Sequence, residues 1–200
     1  MVDRRVKRTR YAIHQAFINL LKSYDLEEVT IQQIADEADI NRATFYKHYE
    51  DKYALLNALE NQEINNIRQY IKEFDFSTFE TLDTENIVAV FEYGPKNIIK
   101  IILNNIELYE VLFAMNRKSS LEDKLSETIE LNLQRVLVGH KAINGMPFKY
   151  FHSYIAGAVI STIKFWVLDD NRIPGDQLAK NIYNMAFQGP YKQIINEIKR

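Results

Sequence analysis

The sequence predicts an all-α fold, in which an N-terminal three-helix domain containing a helix-turn-helix is joined by a long helix to a C-terminal helical domain. Three observations indicate this fold class. Apolar residues recur at three- and four-residue spacing along most of the chain, which is the period of an amphipathic helix. The 200 residues include only four Pro and six Gly, and no alternation of polar and apolar residues runs far. Hydrophobic residues make up 46% of the chain, enough to bury a core.

The first predicted helix covers residues 5–24, where apolar residues repeat at helical spacing: Ala12, Ile13, Ala16, Phe17, Leu20 and Leu21. Residues 1–10 carry five basic side chains against one acid, whereas the whole chain has a net charge of −2. Such a basic arm can neutralise phosphates without making the whole protein cationic. A terminus that only aids solubility is the alternative.

The middle of the N-terminal domain predicts two short helices joined by a tight turn. Thr30 followed three residues later by Gln33 is a capping box, which begins the first of them. Asp39 tolerates the left-handed conformation that a sharp turn needs. Asn41 is a favoured N-cap for the second helix, which is expected to end near residue 49. Two helices joined by so short a turn define a helix-turn-helix.

The second of these helices buries one stripe and leaves a polar face outside. Phe45 and Tyr49 are four residues apart and make the buried stripe. The other side chains face solvent or a partner: Arg42, Ala43, Thr44, Tyr46, Lys47 and His48. About eight residues at 1.5 Å each span roughly 12 Å, which matches the width of the DNA major groove. We therefore interpret this helix as a DNA-reading element.

A third helix is expected after Asp51, whose carboxylate is a favoured N-cap. Lys52 lies in its first turn, where a cation opposes the helix dipole. Phosphate binding explains why a cation lies at this unfavourable position, because Lys52 and the free N–H groups of the helix start can bind one phosphate together. The apolar pattern continues to residue 74, so this long helix is expected to connect the two domains.

The segment I-N-R-A-T-F-Y-K-H-Y-E-D-K resembles the DNA-binding domain of the tetracycline-repressor (TetR) family, in the subgroup with the motif I-N-R-x-T-F-Y-x-H-Y-x-D-K. The resemblance covers residues 10–56. It implies that four side chains approach base edges: Arg42, Ala43, Thr44 and Lys47. It implies that four others hold phosphates: Thr30, Tyr46, His48 and Lys52. The chain has Asp39 and Ala43 where many members have Gly, and the second departure bears on how closely the backbone approaches the groove.

Two domains are expected, a DNA-binding domain at residues 1–52 and an effector-binding and dimerisation domain at residues 53–200, with the helix 51–74 connecting them. The structural boundary is expected in or just before residues 75–83. Further helices are predicted after a cap at Thr84, from Pro95 after an interruption at Gly94, at 107–115, from Ser119 or Ser120 to Gly139, at 147–169 and at 176–187.

The helix at 147–169 is apolar on more than one face and therefore needs covering on both sides. Its small residues allow close backbone approach, and the helix at 176–187 supplies a second apolar face. Two such helices from each of two chains would form a four-helix dimer interface. The candidate interface residues are Ala156, Gly157, Ile160, Ser161, Leu178, Ile182 and Met185. The alternative is that these helices only cover the core of one chain.

The sequence predicts no cofactor, no metal site and no catalytic activity. The chain has no Cys, and its four His are scattered without a second ligand at metal spacing or the partners of a catalytic triad. Paired acids such as Asp169 and Asp170 are better explained as solvated helix caps. No apolar run is expected to reach the length of a membrane span, and the N-terminus is charged rather than signal-like, so the protein is expected in the cytoplasm.

The resemblance also implies a small-molecule pocket in the C-terminal domain. Aromatic side chains line both protein cores and ligand sites, so packing is the alternative at each position. The candidates are Phe91, Tyr93, Tyr109, Phe113, His152 and Trp166.

The function expected from this reasoning is a homodimeric, sequence-specific DNA-binding regulator on a palindromic operator, a repressor released by a small-molecule effector. One alternative is an activator or chromosome-organising protein controlled by a protein partner without a small ligand. An enzyme with an appended DNA-binding domain is a second alternative, and the lack of clustered catalytic side chains argues against it.

Overall fold

The computed structural model describes residues 4–72, 95–115, 119–137 and 139–198, and most of them are helical. The helices in these ranges are α1 (Arg4–Leu21), α2 (Ile31–Glu37), α3 (Arg42–Tyr46), α4 (Lys52–Lys72), α5 (residues 95–104), α6 (Ile106–Ala114), α7 (Leu121–Val136), α8 (Phe148–Leu168), α9 (Gly175–Gln188) and α10 (Pro190–Ile198). The predicted all-α fold class is confirmed.

A two-stranded hairpin directly before α8 is absent from the sequence prediction. Strand β1 (Ala142–Ile143) pairs antiparallel with β2 (Met146–Pro147). Between them Asn144 and Gly145 have φ angles of 47° and 84°. Asn-Gly is the favoured pair for a two-residue turn with both φ angles positive. The dipeptide was the available signal, but strands of two residues are too short to show alternation.

One helix is shorter than predicted, and another was not predicted. α3 ends at Tyr46, so the residues up to Tyr49 lie in the turn that follows and not in the helix. α10 is additional to the predicted helices, and it follows Gly189, whose φ of 74° ends α9. The predicted boundary at 75–83, the cap at Thr84 and the interruption at Gly94 lie outside the described residues.

The chain forms two compact units that interleave along the sequence. The first comprises Met1–Glu63 and Glu107–Leu121, and the second comprises Ile64–Ile106 and Glu122–Arg200. The continuous helix α4 therefore belongs to the first unit in its first half and to the second unit in its second half. The expected domains at 1–52 and 53–200 follow chain order, whereas the first compact unit also takes in α6.

The first unit is built around large buried side chains, which include Ile13, Phe17, Ile34, Phe45, Leu55, Tyr109, Leu112 and Phe113. Its core also holds two carboxylates, Glu60 and Glu63. Glu60 accepts hydrogen bonds from Ser119 Oγ at 2.8 Å, from the Ser120 N–H at 2.9 Å and from the Ser120 hydroxyl. These bonds satisfy a buried carboxyl group and fix the segment that leads into α7.

The second unit packs one face of α8 inward, with Ala156, Ile160, Ile163, Trp166 and Val167 buried. Trp166 Nε1 donates a hydrogen bond of 2.7 Å to the Ile173 carbonyl, which holds the loop after α8. At the start of α9, a Cβ on Gly175 would lie 2.8 Å from Ile99 Cγ2 and 2.9 Å from Leu103 Cδ1. Glycine therefore allows α9 to approach α5 this closely.

By length and composition alone, α8 is long and apolar enough to cross a membrane. The expectation that no apolar run reaches that length is therefore wrong. The core helices of water-soluble proteins meet the same criterion, and α8 contributes one face to the core of the second unit.

Candidate functional site

The predicted start of the helix-turn-helix is confirmed at Thr30. Its Oγ1 accepts a hydrogen bond from the Gln33 N–H at 3.2 Å, while the Thr30 N–H donates to Gln33 Oε1 at 2.8 Å. Both halves of the capping box are present, so two backbone donors at the start of α2 are satisfied. This reciprocal pair fixes where α2 begins.

The turn between α2 and α3 also follows the sequence prediction. Asp39 adopts a φ of 51°, and the Ile40 N–H donates to the Ala35 carbonyl at 3.0 Å. Asn41 Oδ1 then accepts from the Ala43 N–H at 2.8 Å, so Asn41 caps α3 as expected. The turn and the cap together set the angle at which α3 leaves α2.

α3 and the turn after it present a basic, hydrogen-bonding face to solvent. Phe45 is fully buried and Tyr49 is 8% exposed, as the predicted stripe requires. Within residues 42–48, four predicted DNA-contacting side chains are exposed, namely Arg42, Ala43, Tyr46 and Lys47. The other two there, Thr44 and His48, are half-buried. Burial and the cationic side chains of Arg10 and Lys47 lower the pKa of His48. A neutral imidazole is therefore favoured on this face at neutral pH.

Arg42 and Tyr46 form a pair on the exposed side of α3. Arg42 Nη2 donates to Tyr46 Oη at 3.0 Å, and the Arg42 Cζ lies 5.5 Å from the centroid of the Tyr46 ring. The two residues are four apart, which brings their side chains onto the same face of a helix. The pair holds the guanidinium over α3 with donors left over for another acceptor.

Lys52 makes contacts that the sequence did not indicate. Its Nζ donates to the carbonyls of Glu27 and Val29, each at 2.8 Å. The ammonium thus ties the start of α4 to the loop that precedes Thr30. Asp51 Oδ1 accepts from the Ala54 N–H at 2.7 Å, so the predicted capping of α4 by Asp51 is confirmed. A phosphate bound at Lys52 would have to share the ammonium with these two carbonyls.

The basic residues near the N-terminus lie in α1, in agreement with the helix predicted from residue 5. Residues 4–10 make the first two turns of α1, and the first turn carries no acid to offset their charge at the positive end of the helix dipole. The Arg10 Cζ lies 6.0 Å from the centroid of the Tyr49 ring. α1 therefore brings a cation close to the turn that follows α3.

His14 is a residue of this region that the sequence analysis did not single out. Its Nε2 lies 2.6 Å from Tyr49 Oη. Burial, assisted by the nearby Arg10 charge, lowers the pKa of His14 from 6.5 to about 4, and burial raises the pKa of Tyr49. The four-residue spacing of Arg10 and His14 places both side chains on one face of α1. Their common neighbour Tyr49 lies 35 positions from His14 along the chain, so the sequence did not indicate this contact.

The second unit contains a cavity of about 190 Å³ with a nearly apolar lining. Eight of the lining residues are isoleucines, and they come from α4, α5, α7, α8 and α9. Phe91 and Tyr93 lie outside the described residues. The other predicted pocket residues, Tyr109, Phe113, His152 and Trp166, do not line this cavity.

Each of those four side chains is used elsewhere. Tyr109 and Phe113 are buried in the core of the first unit, where burial and the Glu63 carboxylate raise the pKa of Tyr109 far above its ordinary value. His152 Nε2 lies 3.0 Å from the Ser126 carbonyl, and Trp166 bonds to Ile173. The cavity found among the described residues is therefore lined mainly by aliphatic side chains, and the expected aromatic effector pocket stays a prediction.

The predicted dimer-interface residues divide into buried and exposed ones within the single chain. Four are at most 7% exposed and pack mainly within their own chain: Ala156, Ile160, Leu178 and Ile182. Gly157, Ser161 and Met185 are exposed. α8 has two apolar faces, and its sequence alone does not tell which one turns inward. The exposed face, which we call the outer α8 face, consists of Tyr150, Tyr154, Gly157, Ala158, Ser161, Phe165 and Leu168.

Two protein-family models match the sequence. The one described as "Bacterial regulatory proteins, tetR family" matches residues 13–59, and the one described as "Transcriptional regulator C-terminal region" matches residues 91–188. Together they cover more than half of the chain. In the described ranges, no group of three or more His, Asp or Glu side chains is arranged to hold a metal ion.

Related proteins agree with these matches. The uncharacterized HTH-type transcriptional regulator YxbF of Bacillus subtilis is 24% identical over 97% of this chain and 48% of its own length, so this chain spans about half of that relative. The nucleoid occlusion factor SlmA of Photorhabdus laumondii is 25% identical over 76% of this chain and 77% of its own. A TetR transcriptional regulator from Streptococcus agalactiae shares the fold, with a TM-score of 0.63 at 23% identity over 92% of this chain and 96% of that one.

Proposed function

The chain belongs to the TetR family of bacterial regulatory proteins, and we propose that it is a sequence-specific, DNA-binding regulator of transcription. The observation that carries this proposal is the basic face of α3, set at a fixed angle by the caps at Thr30 and Asn41. An α-helix fits into the major groove of DNA, where each base pair presents a distinct pattern of donors and acceptors. Regulators of this family are DNA-binding transcription factors and not enzymes.

The proposed contacts divide into two groups. Base edges are approached by Arg42, Ala43, Thr44 and Lys47. Phosphates are held by Thr30, Tyr46, His48 and Lys52. The exposure of Arg42 and Lys47 supports the first group, because donors that read bases must be free of the protein core. We add Arg10 to the phosphate contacts, because α1 brings it to the turn after α3.

We propose further that the protein acts as a homodimer on a palindromic operator. The outer α8 face supports this, since Phe165 is 76% exposed and Tyr154 is 61% exposed beside small residues that permit close approach. Large apolar side chains left on a surface in a continuous stripe mark an interface. Half-sites about 34–36 Å apart are expected for two recognition helices related by a two-fold axis.

In this proposal residues 1–52 read DNA and residues 53–200 dimerise and bind an effector, in the cytoplasm. The regulator is a repressor that a small molecule releases from its operator. The aliphatic cavity of the second unit supports an effector site, because a folded core rarely leaves an apolar space of this size unfilled. α4 supports the coupling, since this single helix lines the cavity near one end and begins at Lys52.

A second candidate function is an activator or chromosome-organising protein controlled by a protein partner. The exposed apolar side chains of α10 favour it: Tyr191, Ile194, Ile195 and Ile198. The similarity to SlmA, a nucleoid occlusion factor, points in the same direction.

Selection of bound duplexes from random double-stranded DNA tests the proposed function. We expect a palindromic consensus, bound far more tightly than random duplex at the same salt concentration. Enrichment of no consensus, with equal affinity for every duplex, would contradict a sequence-specific regulator. Pull-down with immobilised protein distinguishes the second function, which requires a protein partner that an α10 variant such as Ile195→Glu no longer captures.

A further inference from the structure

The aliphatic cavity of the second unit has a lining that selects for one kind of ligand. Among the described residues that line it there is no Asp, Glu, Lys, Arg or His. Its polar groups are those of Thr128, Asn132 and Tyr183. A charged ligand would leave water without finding a counterion there, which is strongly unfavourable.

The hydrogen-bonding capacity of the polar groups is already largely used within the protein. Thr128 Oγ1 accepts from Arg68 Nε at 3.0 Å and donates to the Lys124 carbonyl at 2.8 Å. Asn132 Nδ2 donates to the Thr128 carbonyl at 2.8 Å. Tyr183 also interacts with a neighbour in the protein. The amide oxygen of Asn132 is thus the acceptor that we assign to one donor on a ligand. This allows a single hydroxyl group on an otherwise apolar molecule.

The size of the cavity limits the ligand further. A dry apolar cavity of about 150 Å³ accepts benzene, which has six carbon atoms. A cavity of about 190 Å³ is somewhat larger. It therefore suits a molecule of about six to ten non-hydrogen atoms.

Resting on the proposed function as an effector-released regulator, we propose that the effector is an uncharged, mainly aliphatic molecule of this size with at most one hydroxyl group. Such a ligand touches Ile67 and Ile71 of α4 directly. It also borders Thr128, which bonds to Arg68 of the same helix, while Arg68 Nη2 pairs with Glu127 at 2.8 Å. The ligand thus acts on α4 through both apolar and polar contacts.

Calorimetric titration of the full chain with 1-octanol, octanoate and octylammonium at pH 7 tests this ligand class. The three probes each contain eight carbon atoms in a linear chain and differ in charge. We expect 1-octanol to bind one site per chain, and each charged analogue to bind at least tenfold more weakly. Equal affinity for octanoate or octylammonium, or no binding of 1-octanol, overturns the inference.

A pair of variants locates the binding site. Ile129→Phe adds volume at a residue that lines the cavity, whereas Leu133→Phe makes a similar change one turn later on α7, at a residue outside the lining. We expect Ile129→Phe to weaken 1-octanol binding at least tenfold and Leu133→Phe to leave it unchanged. Equal effects of the two variants contradict binding in this cavity. Circular dichroism checks that both variants fold, and the comparison of the three probes on the unmodified protein does not depend on either variant.

Binding of the selected duplex, measured by fluorescence anisotropy in the same samples, separates the two proposals. A protein that binds the duplex but not 1-octanol refutes the inferred ligand class alone. A protein that binds 1-octanol but no duplex refutes the proposed function and upholds the ligand class. If both bind, 1-octanol must lower the affinity of the protein for the duplex. An unchanged affinity for the duplex shows that molecules of this class are not the effector.

Discussion

His14 Nε2 and Tyr49 Oη lie 2.6 Å apart and join α1 to the turn that follows α3. Because burial lowers the pKa of His14 to about 4 and raises that of Tyr49, a neutral ring and a protonated phenol meet at this contact. The two groups share one hydrogen bond, whose donor is set by the tautomer of the His14 ring. The bond helps to hold the turn that follows α3 against α1.

This contact predicts that stability depends on pH. The unfolded chain has a His14 pKa of 6.5, so as the pH falls from about 6.5 to about 4 the unfolded state takes up the proton first. Stability contributed by the neutral ring is complete above that window and is lost as the pH falls through it. Because the ring is only part-buried, we discount the full shift and expect a loss of about 1–2 kcal/mol.

Urea denaturation between pH 4 and pH 7 measures this loss. In His14→Gln the free energy of unfolding should fall less between pH 7 and pH 4, by the loss expected for His14. In His140→Gln, at an exposed histidine, it should depend on pH as in the unmodified protein. An unchanged slope in His14→Gln would show that other groups cause it.

Arg42→Ala should weaken operator binding by about 1–3 kcal/mol and relax the preference at one base pair in each half-site. The reason is that a guanidinium can donate two parallel hydrogen bonds to a guanine edge. Arg42→Lys is the matched control, because it keeps the charge and loses the planar fork. Anisotropy titrations with operator and random duplex measure both variants. Equal losses on the two duplexes would refute a base-reading role for Arg42.

Lys52→Met should have two separable effects. Losing the bonds to the Glu27 and Val29 carbonyls should lower stability by about 1 kcal/mol. If Lys52 also holds a phosphate, affinity for every duplex falls alike and the slope of log affinity against log salt decreases by about one. Lys72→Met, at an exposed lysine on the same helix, should change neither quantity. A stability loss with an unchanged salt slope would assign Lys52 a structural role only.

Gly157→Leu should convert the proposed dimer to a monomer without unfolding the chain. No atom of the described residues lies within 4 Å of a Cβ built on Gly157, so a side chain there starts in open space on the outer α8 face. Sedimentation velocity at micromolar concentration measures the change. Gln134→Leu, on the exposed side of α7, places a leucine elsewhere on the surface and should remain dimeric. Dimeric Gly157→Leu protein would place the interface on another surface.

Local signals in the sequence were sufficient for the helix-turn-helix. The capping box at Thr30, the left-handed turn at Asp39 and the N-cap at Asn41 each depend on residues two to five positions away. Interactions over so short a distance are nearly independent of the rest of the chain. The end of α3 was less well predicted, since the turn after Tyr46 keeps helix-like spacing for its buried Tyr49.

The sequence by itself determined the all-α class, the position of the helix-turn-helix and most of the residues that α3 exposes. Only the tertiary structure decided which face of α8 turns inward, that α6 joins the first unit, and that the described lining of the second unit's cavity is mainly isoleucine with Tyr183 as its one aromatic side chain. The physical reason is the distance along the chain between the residues that interact. Caps and helical periods arise within a few residues, whereas an apolar face can pack against any complementary face, and the choice depends on contacts between residues far apart in the chain.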